Sequence, residues 1–517
     1  MSKLLIVYFL CLLVVACGGG GHRGGGSVYY VSVDTGNDAN SGGSPSQAKK
    51  TIQAAALLAG HGTEIRVAAG RYEISSDLGD FDRPEEIELR DGIRFRGGYD
   101  LDFSEPPDPE INHSLIVNMA AQNENKIFVS LTDVGPETLI EGFILDGGDS
   151  SGNSRVISLE KGSPTIQNNV IRGGFGSDPV GIWYDAGTVN VFNNTIERVR
   201  VGIVIKNTDP MGSSIVAGNT IIMRRDSVNR NNVLRAIELG QGDIQIMDNT
   251  FLAESEGSEL GGGNIQTVYV NGGSGAEVNL TGNTIGAGVT TGAGNFTYGL
   301  YVNAGNLVAY NNVFFGGSGG ATSSAIYIGS GSINLLNNTL HAGSGGSAYG
   351  LWINNSQSSF TVAVKSINNL FVAGDACVHK NGDAPSEFKN NGLSGCTTVY
   401  LDDDGGCVSN FDQDNNPHTC AIADVEKDQA IVNGAGGNTA LQPVFLSYLG
   451  ADGKLVTMQD NNWRLSVQSP AAIVEGGQDL SLFFDTDHDG QSRSALLNGD
   501  PPLLDADGWS LGAFEFQ

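Results

Sequence analysis

Between Asn169 and Asn369 apolar and polar residues alternate in short bursts, and each burst ends on asparagine. Val189-Asn-Val191-Phe-Asn-Asn194-Thr-Ile196 shows the pattern: apolar at every second position, an asparagine pair, then a large apolar residue. Period-two alternation predicts a strand. The amide pair and its glycine neighbours predict a tight turn, because Asn tolerates left-handed backbone angles and bonds its own chain. The anchors are Asn169, Asn194, Asn219, Asn249, Asn283, Asn312, Asn338 and Asn369, at intervals of 25, 25, 30, 34, 29, 26 and 31. Two places on stand Ile171, Ile196, Ile221, Phe251, Ile285, Phe314, Leu340 and Phe371. A second strand accompanies each, as in Gly181-Ile-Trp-Tyr184 and Gly350-Leu-Trp-Ile353. A unit of roughly 25 residues with two or three strands and no helix is too short for a propeller blade. It is too β-rich for leucine-rich or helical repeats. Coils stacked at about 4.8 Å give an all-β parallel β-helix, with like side chains piled inward and the amides aligned as a ladder.

The same phase sorts the outward face. In each second strand the apolar neighbours point into the core, so the residue between them points out. Those residues are Trp183, Val204, Glu238, Tyr269, Tyr301, Tyr327 and Trp352. Four consecutive coils, from Tyr269 to Trp352, therefore display an aromatic stripe. Two readings stand: rings that pack only on each other, or an exposed apolar patch that binds a ligand. Flat rings suit the apolar faces of sugars, so polysaccharide is the partner the second reading implies.

Open solenoid ends expose strand edges and need covering. Tyr29 to Val33 and Thr63 to Val67 read as strands, with a helix over Ala48 to Ala59, stopped by Gly60, between them. Val31-Ser32, Gly36-Asn37-Asp38, Thr51-Ile52-Gln53-Ala54 and Val67-Ala68-Ala69-Gly70-Arg71-Tyr72 resemble the opening of pectate-lyase-like superfamily proteins. That resemblance implies a single-stranded right-handed parallel β-helix plugged by its N-terminal helix. Ser469-Pro470-Ala471, Asp487-His-Asp489-Gly490, Arg493 and Leu511-Gly512-Ala513-Phe514-Glu515-Phe516 are similar to the C-terminal motif of bacterial choice-of-anchor surface proteins. This implies a closed far end and display at the cell surface. Ala472-Ile473-Val474-Glu475 departs from that group's usual turn.

The 517 residues include 74 glycines and only 16% charged residues, with 40% hydrophobic, which suits many turns around a long core. A formal net charge of −29 repels nucleic acid and anionic headgroups, so no nucleic-acid partner is expected. Lys3 and the apolar run from Leu4 to Val15 form an export signal too short to span a bilayer. Ala16-Cys17 resembles the bacterial lipobox. That implies cleavage before Cys17, lipid on its sulfur, and the membrane as a partner through this anchor in the cell envelope (outer membrane or cell surface).

The expected organisation is a signal peptide over 1–16, a Gly-rich tether over 17–27, and an N-terminal cap with first coils over 28–160. Regular coils follow over 161–375, a Cys/Asp-rich insertion over 376–440 and a closing segment over 441–517. Cys377, Cys396, Cys407 and Cys420 predict two disulfides, with three connectivities open.

Candidate chemistry is sparse. Arg172, Arg198 and Arg224 recur every 26 residues, thickened by Arg200, Arg225, Arg230 and Arg235. They read either as an anionic-ligand site or as a solvated network with Glu197, Asp226 and Glu238. Asp485-Thr-Asp487-His-Asp489-Gly490 starts like a calcium loop, but its twelfth position is Leu496, where a bidentate Glu is required. Asp402, Asp403, Asp404, Asp412 and Asp414 form a second acidic group. Calcium is the cofactor either would hold. The superfamily's enzymes cleave uronate polysaccharides. The Asn-Thr-Asp and Gly-His-Gly tripeptides of its galacturonan hydrolases occur here as Asn207-Thr208-Asp209 and Gly60-His61-Gly62, in reversed order and 146 residues apart. Such a separation cannot put two carboxylates beside one bond, and no catalytic residue is named. The expected function is non-catalytic glycan binding or adhesion by a surface lipoprotein. A polysaccharide lyase or glycoside hydrolase acting on acidic polysaccharide, and a structural spacer, are the alternatives.

Overall fold

A computed structural model describes residues 26–74, 86–119, 124–148, 153–174, 178–209, 212, 214–224, 232–253, 263–272, 277–290, 292–355, 361–403, 418–426, 431, 433–447, 461–474, 476–484, 486–491, 493 and 509–514. The signal, Cys17 and most of the tether lie outside them.

The alternating segments form three parallel faces that wind into a single-stranded right-handed parallel β-helix. The first face is a 14-stranded sheet from Val28–Val31 and Glu64–Ala68 to Ala435–Gly436. Short strands such as Val170–Arg172 and Thr195–Val199 follow each asparagine turn and make the second face. Longer strands, from Asn153–Leu159 to Ser347–Asn354, make the third. Leu370–Asn381 and Gly392–Asp402 run through the corner and join the second face to the third.

The inward stack is as expected. Ile171, Ile196, Ile221, Phe251, Ile285, Phe314, Leu340 and Phe371 are successive register partners and fully buried. Pairing fixes only the anchor-to-strand distance, so loops elsewhere in the coil absorb the variable interval.

The asparagine pair divides its labour. The first residue takes the left-handed turn: Asn168, Asn193, Asp248, Asn311, Asn337, Asn368 and Asn390 have φ between 51° and 58°. The second is buried. From Asn169 to Asn369 each Nδ2 donates to the next anchor's Oδ1 at 2.9–3.0 Å. That oxygen also accepts the previous anchor's backbone N–H. The ladder then runs on to Asn391 and Asn438.

The capping helix is shorter than expected, Ile52–Leu58. Asp38 Oδ1 accepts the N–H groups of Lys50 and Thr51, and Lys49 bridges to Val31, so the chain stays extended up to Thr51. Thr51 then caps the helix by accepting from Ala54 N. Ile52, Ala55 and Ala56 face the core.

Segment 376–440, expected as an insertion, carries coils and the far cap. Cys377 and Cys396 are joined by a disulfide between adjacent strands. Cys420 is also disulfide-bonded, whereas Cys407 lies outside the described residues. The antiparallel strand His418–Cys420 and the short helix Ile422–Val425 bring Cys420, Val425 and Ile431 onto the end of the core.

The segment expected to close that end lies along the side instead. The described residues between 461 and 514 form a strap over the corner between the first and second faces. The left-handed asparagines hold it: Asn311 Nδ2 donates to Thr486 O, Asn337 to Ser510 O, Asn368 to Gln478 O and Asn390 to Gly476 O. Arg493, from the motif noted in the sequence, is buried and donates to Asn311 Oδ1 and to the carbonyls of Gly512 and Ala513. Trp463 and Phe514 cover Leu252, Val313 and Phe315, while Leu480, Phe484 and Trp509 cover Leu336 and Ile367. Under Trp463, burial pushes His341 down to about 4, and its Nδ1 accepts from Gly343 N. The strap lies here because these outward positions are apolar and would otherwise face water.

Candidate functional site

The outward row of the third face is assembled by strand register alone. Trp183 pairs with Val204, Val204 with Glu238, Glu238 with Tyr269, then Tyr301, Tyr327 and Trp352 follow in order. The next partner is His379. A parallel row on one side carries Tyr298 and Tyr349, with Ser324 between them. Two residues past the rings on the other side stand Asn271, Asn303, Asn354 and Asn381. Asn303 Nδ2 donates to Asn271 Oδ1 at 2.8 Å. Alternation alone locates the main row. The amide row beside it carries its own signal, a repeated ring-x-Asn phase, which the hydrophobic pattern does not single out.

The rings use their faces in different ways. Tyr301 and Tyr327 are stacked at 4.5 Å and 11°, and Tyr269 joins at 5.6 Å and 30°. A sugar therefore cannot lie flat on all three of those rings. Their edges and hydroxyls line the strip instead. Trp352 turns by 89° from Tyr327 and lies 11° from the His379 ring at 5.7 Å, so its faces are not spent on the tyrosine stack. Trp183 is covered: the Arg155 guanidinium sits 3.8 Å and Lys206 Nζ 4.9 Å from its ring centre, and its Nε1 donates to Asp185.

Among the described residues, charged groups flank the rings from Tyr269 to Trp352 at both ends. At one end Glu238 pairs with Lys206 and Arg235, at 3.0 and 2.7 Å, and Arg235 lies 4.0 Å over the Tyr269 ring. Burial acts to raise the Glu238 carboxyl, but hydrogen bonds from Lys206 and Arg235 outweigh it and hold it below the usual range. At the other end His379 Nε2 meets Asp403 Oδ2 at 2.8 Å. A carboxylate accepts, so Nε2 donates and Nδ1 of the neutral ring is the acceptor. That Nδ1 and Trp352 Nε1 are buried with no hydrogen-bond partner among the described residues. Burial, then the adjoining Tyr327 and Tyr269, pushes the Tyr301 hydroxyl up to about 12.

The other candidates that the sequence suggests lie apart from this row. Arg172 faces Glu197 across the strand pair at 2.7 Å, and Arg198 pairs with Asp146. The three arginines are not stacked in register, because they lie three, four and five residues past their anchors. Arg224 is exposed, while Arg225, Arg230 and Asp226 lie outside the described residues. Asp487 accepts the backbone N–H groups of Asp489 and Gln491, and Asp489 is held by Arg464 at 2.6 Å. Asp402 pairs with Lys380. Asp485, Asp404, Asp412 and Asp414 are outside the described residues. Among the described residues no group of three His, Cys, Asp or Glu side chains could hold a metal.

No family model matches the chain, and no curated protein matches it. Among solved structures it is similar to the crystal structure of pectate lyase Pel9A, at 16% identity and a TM-score of 0.42, over 95% of this chain and 96% of that one. What the geometry defines is a class: a parallel β-helix carrying an in-register row of rings on one face, with amides beside it.

Proposed function

We propose that this chain is a polysaccharide-binding β-helix, non-catalytic, displayed on the bacterial cell envelope through lipid at Cys17. The observation that carries the reading is the third-face row, in which Tyr269, Tyr301, Tyr327 and Trp352 stand on successive coils beside an amide row. Hydroxyls and amides both donate and accept, as sugar hydroxyls do, and Trp352 adds a ring outside the tyrosine stack. The arginine region supports catalysis less well, since Arg172, Arg198 and Arg235 are each paired with a carboxylate. Replacing Tyr269, Tyr301, Tyr327 and Trp352 together by serine is expected to abolish retention in polysaccharide affinity gels while the circular dichroism of the coils persists. Retention equal to that of the unaltered protein would refute the reading. Formation of an unsaturated uronate, absorbing near 235 nm, from pectin or alginate with or without calcium would make the protein a lyase instead.

A further inference from the structure

We infer that the ligand is a linear, neutral glycan lying along the solenoid axis, one sugar to each coil, over Tyr269, Tyr301, Tyr327, Trp352 and His379. This rests on the glycan-binding reading above. Direction follows from register: these side chains are successive partners across parallel strands, so the row runs along the axis with one position per rise of about 4.8 Å. A pyranose ring in an extended chain advances by a closely similar length, so a repeating polymer meets a repeating surface in step.

Neutrality follows from the charges. Between Arg235 at one end and the His379–Asp403 pair at the other, the row offers phenols, an indole and amides, none of them cationic. A polyanion would set a carboxylate against Tyr301, Tyr327 and Trp352 with no counter-charge there, on a chain of net charge −29. The cations beside the row, Arg235 and Lys206, are already paired with Glu238.

The far end supplies a second, independent sign. Trp352 Nε1–H is a donor and His379 Nδ1 an acceptor, both buried and without a partner among the described residues, on rings 5.7 Å apart. His379 is itself more than nine-tenths buried. Buried polar atoms left unpaired are costly, and a hydroxyl, which donates and accepts, answers both. A modest shift of the Tyr349 edge, which packs against both rings, would admit it.

The test is calorimetric titration of the whole protein with β-linked gluco-, manno- and xylo-oligosaccharides of two to eight units, beside oligogalacturonates of the same lengths. Affinity for one neutral series should climb with length and level off near five units, with the charged series at least tenfold weaker. Tyr327→Phe, which keeps the stacked ring and removes one hydroxyl, should weaken the longer oligomers by roughly fivefold. Affinity that is flat beyond the disaccharide, or uronates bound more tightly, overturns this inference while the binding reading survives. If neither oligomers nor the immobilised polysaccharides are retained, both fall.

Discussion

Each anchor asparagine is a polar side chain sealed in the core with its bonds made. Asn283 Nδ2 reaches Asn312 Oδ1, Thr281 O and Ile246 O, while its Oδ1 receives Asn249. Asn283→Ala strands those partners, and unmet buried groups cost about 1–3 kcal/mol each. Chemical denaturation should show a loss of at least about 2 kcal/mol, with hydrogen exchange accelerating first at the Asn249 amide. Asn190→Ala, at a half-buried strand position, should cost far less. Tyr301 makes a pH prediction. Its folded pKa, about 12, lies above the ordinary value of 10. The folded state therefore keeps a proton that the unfolded state gives up, so this contribution is intact below pH 10 and is lost as pH rises towards 12. Thermal melts between about pH 9 and 11.5 should show a falling midpoint, and the fall should be shallower in Tyr301→Phe. A slope identical in the two proteins would contradict the burial of this hydroxyl.

Among the elements the strap is the one that sequence did not place. Its motif residues were legible, Arg493 above all, but nothing local says that they dock on a flank. Its contacts with the turn asparagines join positions 86 to 182 residues apart, the longest being Arg493 with Asn311. Their receptors are the left-handed asparagines, whose pattern reads only as turns. The arginine set is a different case. Spacing of 26 matched the coil repeat, yet register counts from the anchor, and on that count Arg172 opposes Glu197. Arg493→Ala should free the strap: limited proteolysis should cut within residues 461–514 sooner, while exchange in the coils from Asn169 to Asn249 stays as it was. Coils that loosen in parallel would show the strap to be integral to the solenoid instead.

At the scale of the molecule the sequence carried the coil stack, the ladder and the outward row, because period-two alternation decides which way every side chain points. It left open how neighbouring rings settle. That depends on torsions, and here Tyr301 and Tyr327 lie face to face while Trp352 turns across them. Asn391 fits the anchor pattern, with Leu393 two places on, although the cysteines around it suggest an insertion. Counting it extends the parallel stack through Gly392–Asp402.

The strap's grip on Asn311, Asn337, Asn368 and Asn390 falls on consecutive turns. It thus works as a ruler laid against the solenoid. A chain that gained or lost one whole coil between Asn311 and Asn390 would still pair its strands, yet its marks would no longer line up. Length, which a repeat protein can otherwise vary freely, is fixed in that stretch by its own strap.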